Sequence, residues 1–125
     1  MKDVKFRIWH KLHRRMYQVT EIDFYMGNVG FSDDFEDGSV DSVDFDDCVL
    51  MQYTGAKDKN GIEICEGDII KIEQREDRYM QVKYIDYAWI SESVKEPFKL
   101  VNIVKYGGAV VVGNIYENPE LLEKD

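Results

Sequence analysis

Two histidines near the N-terminus have a spacing that could serve metal chemistry. His10 and His13 lie three positions apart, and zinc is held by imidazole nitrogens when the fold supplies two more ligands. The connector around them, residues 10–15, is rich in Lys and Arg, and clustered cations repel a metal ion. We therefore expect both histidines to be exposed to solvent and not to bind zinc.

A second group with possible chemistry is acidic. Carboxylates crowd one segment: Asp33, Asp34, Glu36, Asp37, Asp41, Asp44, Asp46 and Asp47. Asp33, Asp37 and Gly38 fit positions one, five and six of a calcium loop, but Phe35 cannot ligate at position three and Asp44 replaces the usual Glu at position twelve. The favoured interpretation is a solvated acidic loop that leads into a strand over residues 42–53. Calcium binding and a docking or DNA-mimic surface stay open as alternatives.

The polar residues at the centre of the chain indicate turns. Asn60 and Gly61 tolerate the backbone of a hairpin turn, and alternating apolar residues precede and follow them. A calcium loop with Gly61 at position six would place Ala56 at position one and Gly67 at position twelve, and neither can ligate. We therefore predict a hairpin here, and a second turn at Gly67.

No catalytic residue, cofactor site or metal site is assigned from the sequence. The chain has neither a nucleophile turn of the Ser/His/acid type nor a glycine-rich loop that opens a helix. Cys48 and Cys65 lie in apolar surroundings, and we expect both to be reduced and structural. The sequence thus predicts a protein that is not an enzyme and whose fold does not depend on metal.

Length and charge limit the possible functions. The chain has 125 residues, enough for one domain, which we divide into residues 1–48 (a hairpin and the acidic loop) and residues 49–125 (the core and a C-terminal cap). The net charge of −9 disfavours duplex nucleic acid, whose phosphates attract clustered Lys and Arg, and anionic membranes. The N-terminus has no apolar signal-peptide core, and no run of eighteen apolar residues exists.

Alternating polar and apolar residues predict a mainly β protein, that is, a β-rich α+β fold with antiparallel sheets. Strands are predicted at residues 4–9, 16–24, 42–53, 62–64, 69–73, 79–85, 87–90, 98–106 and 109–116. Asn118 and Pro119 are typical of the start of a helix, so a short helix should end the chain. The order of turn and strand signals after Gly67 resembles SH3-like small barrels, which predicts a barrel-like core.

The sequence also resembles the YopX family of phage and prophage proteins at both ends and in the middle. The matching stretches are Val4-Lys5-Phe6-Arg7-Ile8-Trp9, Arg15-Met16-Tyr17, Asp23-Phe24, Tyr53-Thr54-Gly55, Asp58-Lys59-Asn60-Gly61, Glu66-Gly67-Asp68-Ile69-Ile70 and residues 112–122, VGNIYENPELL. His10 and Cys65 depart from the pattern, where an acidic residue and an aromatic would be expected. The resemblance implies a phage or prophage origin and an accessory role in the bacterial cytoplasm. It implies no biochemical activity and supplies no functional residues.

The expected function is protein–protein contact without catalysis, because the sequence contains no catalytic motif but many aromatic residues. These make up 13% of the chain and suit interface anchors, so we expect a homo-oligomer or contact with an unknown protein partner. The candidate interaction surface contains Asp33, Asp34, Glu36, Asp37, Lys11, Arg14 and Arg15. The alternative is a nucleic-acid-related role, either single-strand binding by a small barrel with Lys5, Arg7, Lys71, Arg75, Arg78 and Lys83 on one face, or DNA mimicry by the acidic segment.

Overall fold

The fold was analysed in a computed structural model, which describes residues 4–32, 40–72, 79–85, 88–92, 97–106 and 108–124. The chain forms two compact units, Met1–Gln52 and Tyr53–Asp125, and each is described by itself. The boundary between them falls inside one long strand.

The first unit is an antiparallel meander. It consists of β1 (Phe6–His10), β2 (Arg15–Asp23), β3 (Asn28–Ser32) and β4 (Asp41–Asp44), each paired with the next. The other edge of β1 pairs with the first half of β5 (Cys48–Lys57), from His10 opposite Cys48 to Phe6 opposite Gln52. The core of this unit contains Ile8, Tyr17, Val29, Phe31, Val43 and Cys48.

The described residues before and after the start of the predicted acidic loop form two strands, β3 and β4. Val29 and Phe31 in β3 and Val43 in β4 are buried, although Gly30 and the flanking Asp residues mask the alternation. A Cβ at Gly30 would lie 2.7 Å from Cγ of Glu21, so a larger residue here would require the Glu21 side chain to move. The predicted strand over residues 42–53 is also wrong in part, because a 3₁₀ helix, Phe45–Asp47, separates β4 from β5.

The second unit contains a hairpin and a five-stranded antiparallel sheet. The second half of β5 pairs with β6 (Glu63–Cys65). The sheet contains β7 (Asp68–Ile72), β8 (Tyr79–Ile85), β9 (Ala88–Glu92), β10 (Pro97–Lys99) and β11 (Ala109–Asn114), in the order β10-β9-β8-β7-β11. The core of the second unit contains Ile64, Ile70, Met80, Val82, Leu100, Ile103 and Ala109.

The predicted strand over residues 98–106 is wrong, because most of it is an α-helix. The strand β10 ends at Lys99, and α1 (Leu100–Tyr106) follows at once. Leu100 and Ile103 are buried and Val104 packs beside them, which is helical spacing. A short apolar run is ambiguous in sequence, and packing against the core selects the helix.

The mainly β, antiparallel class is confirmed, and so is a short C-terminal helix, which is a 3₁₀ helix over Pro119–Lys124. The SH3-like barrel is not confirmed, since no sheet formed by the described residues closes on itself. The predicted turns are present: Gly61 and Gly67 adopt φ values of 83° and 87°, which glycine reaches without a steric cost.

Candidate functional site

Two aspartates at the centre of the chain, which belong to the stretches that carry the resemblance, accept hydrogen bonds from backbone N–H groups. Oδ1 of Asp58 accepts hydrogen bonds from the N–H groups of Asn60 (2.8 Å) and Ile62 (2.9 Å), and Oδ2 accepts one from Val111 (2.9 Å). In the next turn, Oδ2 of Asp68 accepts a hydrogen bond from the N–H of Cys65 at 2.8 Å. Both carboxylates are buried, and these bonds give them a structural role.

The asparagines near the C-terminus are used in the same way. Oδ1 of Asn114 accepts hydrogen bonds from the N–H groups of Tyr116 and Glu117, at 3.0 and 2.9 Å. Oδ1 of Asn118 accepts one from the N–H of Asn114 at 3.2 Å, and a Cβ at Gly113 would lie only 2.5 Å from that oxygen. The motif residues 113–118 therefore fix the turn after β11.

The two histidines form a stacked pair at the end of β1. Their ring centroids are 3.6 Å apart with an interplanar angle of 5°. Nδ1 of His10 accepts a hydrogen bond from the backbone N–H of His13 at 3.1 Å, and Nδ1 of His13 lies 2.9 Å from the Tyr17 hydroxyl. Phe31 packs edge-on against the ring of His10. The pair is thus part of an aromatic cluster.

The expectation that both histidines are exposed is wrong for His10, which is only 5% exposed. Burial, and after it the neighbouring His13, lower the pKa of His10, while Asp47 acts in the opposite direction. The acceptor role of Nδ1 also requires that nitrogen to be unprotonated. His13 itself is exposed, as predicted. Within the described ranges, no group of three or more His, Cys, Asp or Glu is placed to hold a metal ion.

Three residues of the predicted interaction surface belong to the described part of the chain. Lys11, Arg14 and Arg15 are exposed at the turn between β1 and β2. The Nζ of Lys11 donates a hydrogen bond to the backbone oxygen of Asp46 at 3.0 Å, and the Arg15 guanidinium lies 5.1 Å from the centre of the Tyr17 ring. The acidic members, Asp33, Asp34, Glu36 and Asp37, lie outside the described residues.

The basic face proposed for single-strand binding loses a member. Arg7 is buried in β1 and cannot contribute to an exposed groove. Arg75 and Arg78 lie outside the described residues. Clustered cations on one exposed face are the requirement for this role, which stays a prediction.

An apolar turn between β2 and β3 is the most exposed hydrophobic feature among the described residues. Phe24, Tyr25 and Met26, which we name the apolar turn, are 80%, 96% and 65% exposed. Oδ1 of Asp23 accepts hydrogen bonds from the N–H groups of Tyr25 (3.0 Å) and Met26 (2.9 Å), so local bonds fix the backbone that presents these side chains.

The 3₁₀ helix Phe45–Asp47 lies beside the apolar turn. Phe45 donates its N–H to the backbone oxygen of Gly27 at 2.9 Å, and its ring stands edge-on to Phe24 with centroids 6.2 Å apart. Asp44 and Asp46, on either side of Phe45, are exposed. The apolar turn is therefore flanked by negative charge.

The second unit contains an apolar pocket of about 510 Å³ beside α1. Apolar side chains from β5, β9 and α1 form most of its lining: Ala56, Ala88, Trp89, Leu100, Val101 and Val104. Lys99 and Lys105 also line it, and both are exposed. Trp89 is fixed from one side by the ring of Tyr84, whose centroid is 4.9 Å away. We call this the α1 pocket.

Both cysteines are free and buried. Burial is the main reason that the pKa of Cys48 is raised; Asp47 adds to the effect and Lys11 opposes it. A neutral, buried thiol is a poor nucleophile, which fits the structural role predicted for it. In the part of the chain that the structure describes, no helix is long and apolar enough to cross a membrane.

Sequence reasoning missed both the apolar turn and the α1 pocket. Phe24 was assigned to a strand, although Asp23 followed four residues later by Gly27 is typical of a turn. Three large apolar residues between these two turn residues would have predicted an exposed apolar turn. No local pattern in the sequence indicates the α1 pocket. Residues 98–106, which include the helix that lines it, were predicted to be a strand.

Comparison with known proteins supports the resemblance. The family profile described as "YopX protein" matches residues 5–123. The fold is similar to the crystal structure of protein EF1440 from Enterococcus faecalis, with 32% identity, a TM-score of 0.69, and coverage of 98% of this chain and 99% of that one. Protein yopX from Bacillus subtilis is similar in fold, with 24% identity, a TM-score of 0.64, and the same coverage. No curated protein matches the chain. The chain belongs to the YopX family.

Proposed function

We propose that this protein is a phage or prophage accessory protein that acts in the bacterial cytoplasm by protein–protein contact, without catalysis, and that it self-associates. The observation that carries the proposal is the apolar turn. Exposed Phe, Tyr and Met side chains are the residue types enriched at protein interfaces, and here they occupy three consecutive positions on a turn fixed by Asp23.

The positions of the potentially reactive residues support a binding role. Asp58 and Asp68 accept backbone hydrogen bonds, His10 is buried in an aromatic cluster, and the pKa of the Cys48 thiol is raised. These groups stabilise the fold, which leaves the exposed apolar surface as the feature that folding alone does not use.

The experiment compares the mass of the wild-type protein with that of Tyr25→Ser by light scattering at tens of micromolar. Tyr25 is almost fully exposed, so the substitution removes interface area and leaves the fold intact. We expect an oligomer for the wild type and a monomer for the variant. Leu12→Ser, at an apolar residue in the β1–β2 turn that is 77% exposed, is the matched control and should retain the wild-type mass.

A parallel titration tests the nucleic-acid alternative. Fluorescence anisotropy with labelled single-stranded and duplex DNA should show no binding near physiological salt, because the net charge is −9. A wild-type monomer combined with tight, salt-sensitive DNA binding would replace the proposed function by the alternative.

A further inference from the structure

The apolar turn and the α1 pocket have complementary chemistry. One is a protrusion of three large apolar side chains, and the other is a concave surface with an apolar lining. The side chains of the turn are exposed, and the pocket is open to solvent. We propose that the apolar turn of one copy inserts into the α1 pocket of a second copy. This inference rests on the proposed function and identifies the two surfaces that meet.

Charge identifies a second copy of this chain as the occupant. Lys99 and Lys105 place positive charge at the pocket, in a protein whose net charge is −9. Asp44 and Asp46 place negative charge beside the apolar turn. Insertion brings these opposite charges together around an apolar centre, an arrangement that favours this orientation over others.

The residue types suit a specific contact. Tyr25 brings an aromatic body with a polar hydroxyl, and Met26 is flexible enough to fill an irregular space. In the pocket, Trp89 and Val104 offer the apolar surface against which such side chains are buried. The Asp23 carboxylate already fixes the turn by accepting two local hydrogen bonds. The turn therefore loses little backbone freedom when it inserts.

A contact between a turn and a pocket joins two unlike surfaces, and it closes when two copies exchange their turns. Each chain carries one turn and one pocket, so two copies that exchange turns form a closed dimer with two equal contacts. Closed two-fold dimers are the commonest oligomers, and we expect that form here.

The test uses one variant on each side of the contact. Tyr25→Ser removes the inserted side chain, and Val101→Glu places a negative charge in the pocket that repels the acidic flank of the turn. Val101 is half exposed on α1, so the substitution buries no charge. Sedimentation equilibrium of each variant alone should show association weakened by roughly tenfold or more. Circular dichroism should match the wild type, which shows that each variant is folded.

Mixing the two variants gives the sharpest result. In an equimolar mixture, the intact turn of Val101→Glu meets the intact pocket of Tyr25→Ser, so heterodimers should form more readily than either variant associates alone. Lys105→Glu provides a second pocket variant that changes surface charge only. It should weaken association and reduce its dependence on salt, since it removes one attraction that salt screens.

The outcomes separate this inference from the proposed function. If Tyr25→Ser dissociates while Val101→Glu and Lys105→Glu associate like the wild type, the turn is an interface but the pocket is not its receptor, and only the inference is overturned. Absence of heterodimers in the mixture also overturns it. A wild-type protein that is monomeric at tens of micromolar overturns both the inference and self-association.

Discussion

Oδ2 of Asp58 accepts a hydrogen bond from the backbone N–H of Val111 at 2.9 Å, across 53 residues of sequence. The backbone N–H of Lys59 donates to the oxygen of Ala109 at 2.9 Å beside it. One carboxylate therefore fixes its own turn and joins the β5–β6 hairpin to β11. The stretch of sequence with the clearest resemblance to a family thus connects the β5–β6 hairpin to β11 within the second unit.

Asp58→Ala should lower the free energy of unfolding by about 3 kcal/mol or more, because three N–H groups lose a charged acceptor. Asp58→Asn keeps one oxygen and should cost less. Urea denaturation measures both, with Asp41→Ala, at an exposed position, as a control expected within about 0.5 kcal/mol of the wild type. Equal stability of Asp58→Ala and the wild type would contradict the stabilising role assigned to the Asp58 carboxylate.

Gly113→Ala should destabilise the protein by about 1–3 kcal/mol, because the new Cβ would lie 2.5 Å from Oδ1, 2.7 Å from Cγ and 2.9 Å from Cβ of Asn118. Asn118→Gly removes all three atoms. The double variant should therefore lose less stability than the sum of the two single variants.

Gly61→Ala is the control for that cycle. Its φ of 83° disfavours alanine, but no atom lies within 4 Å of the added Cβ. It should cost about 1 kcal/mol, and Asn118→Gly should not relieve it. Strict additivity of Gly113→Ala and Asn118→Gly would show that the steric contact does not decide stability.

The buried His10 should make stability depend on pH. Its folded pKa lies below the unfolded value of 6.5, so the unfolded chain takes up the proton first as pH falls. The free energy of unfolding should therefore decrease as pH is lowered from about 7 through 6.5 toward the folded pKa. His13 contributes to the lowered pKa, and Asp47 opposes it.

His10→Gln should flatten this dependence, since glutamine retains an acceptor for the His13 N–H but does not titrate. Urea denaturation at several pH values between about 7.5 and 5.5 measures the slope. An unchanged slope in the variant would assign the effect to other groups.

Both cysteines should resist thiol reagents in the native protein. Cys48 and Cys65 are buried, and the raised pKa of Cys48 further reduces its thiolate fraction. An aromatic disulfide reagent should label neither until concentrated guanidinium is added. Leu12→Cys, which adds a thiol at an exposed turn, should be labelled at once and shows that the reagent is active. Rapid labelling of the wild type would place a thiol at the surface.

Local chemistry explains what the sequence by itself determined. Alternation indicated most strands, and β8 (Tyr79–Ile85) has the predicted bounds. The turns at Gly61 and Gly67 follow from backbone freedom at those residues, which neighbours in sequence already reveal. The same local patterns carried the resemblance to the YopX family.

Only the tertiary structure decided the rest, because those outcomes depend on distant partners. Leu100, Ile103 and Val104 form a helix since that spacing packs them against the core, and an isolated apolar run does not show this. Gly30 lies in a strand because β3 pairs with β2, where Gly30 is opposite Glu21. His10 is buried because Tyr17 and Phe31, from two other strands, cover it, and Trp89 lines a pocket only because α1 lies beside β9.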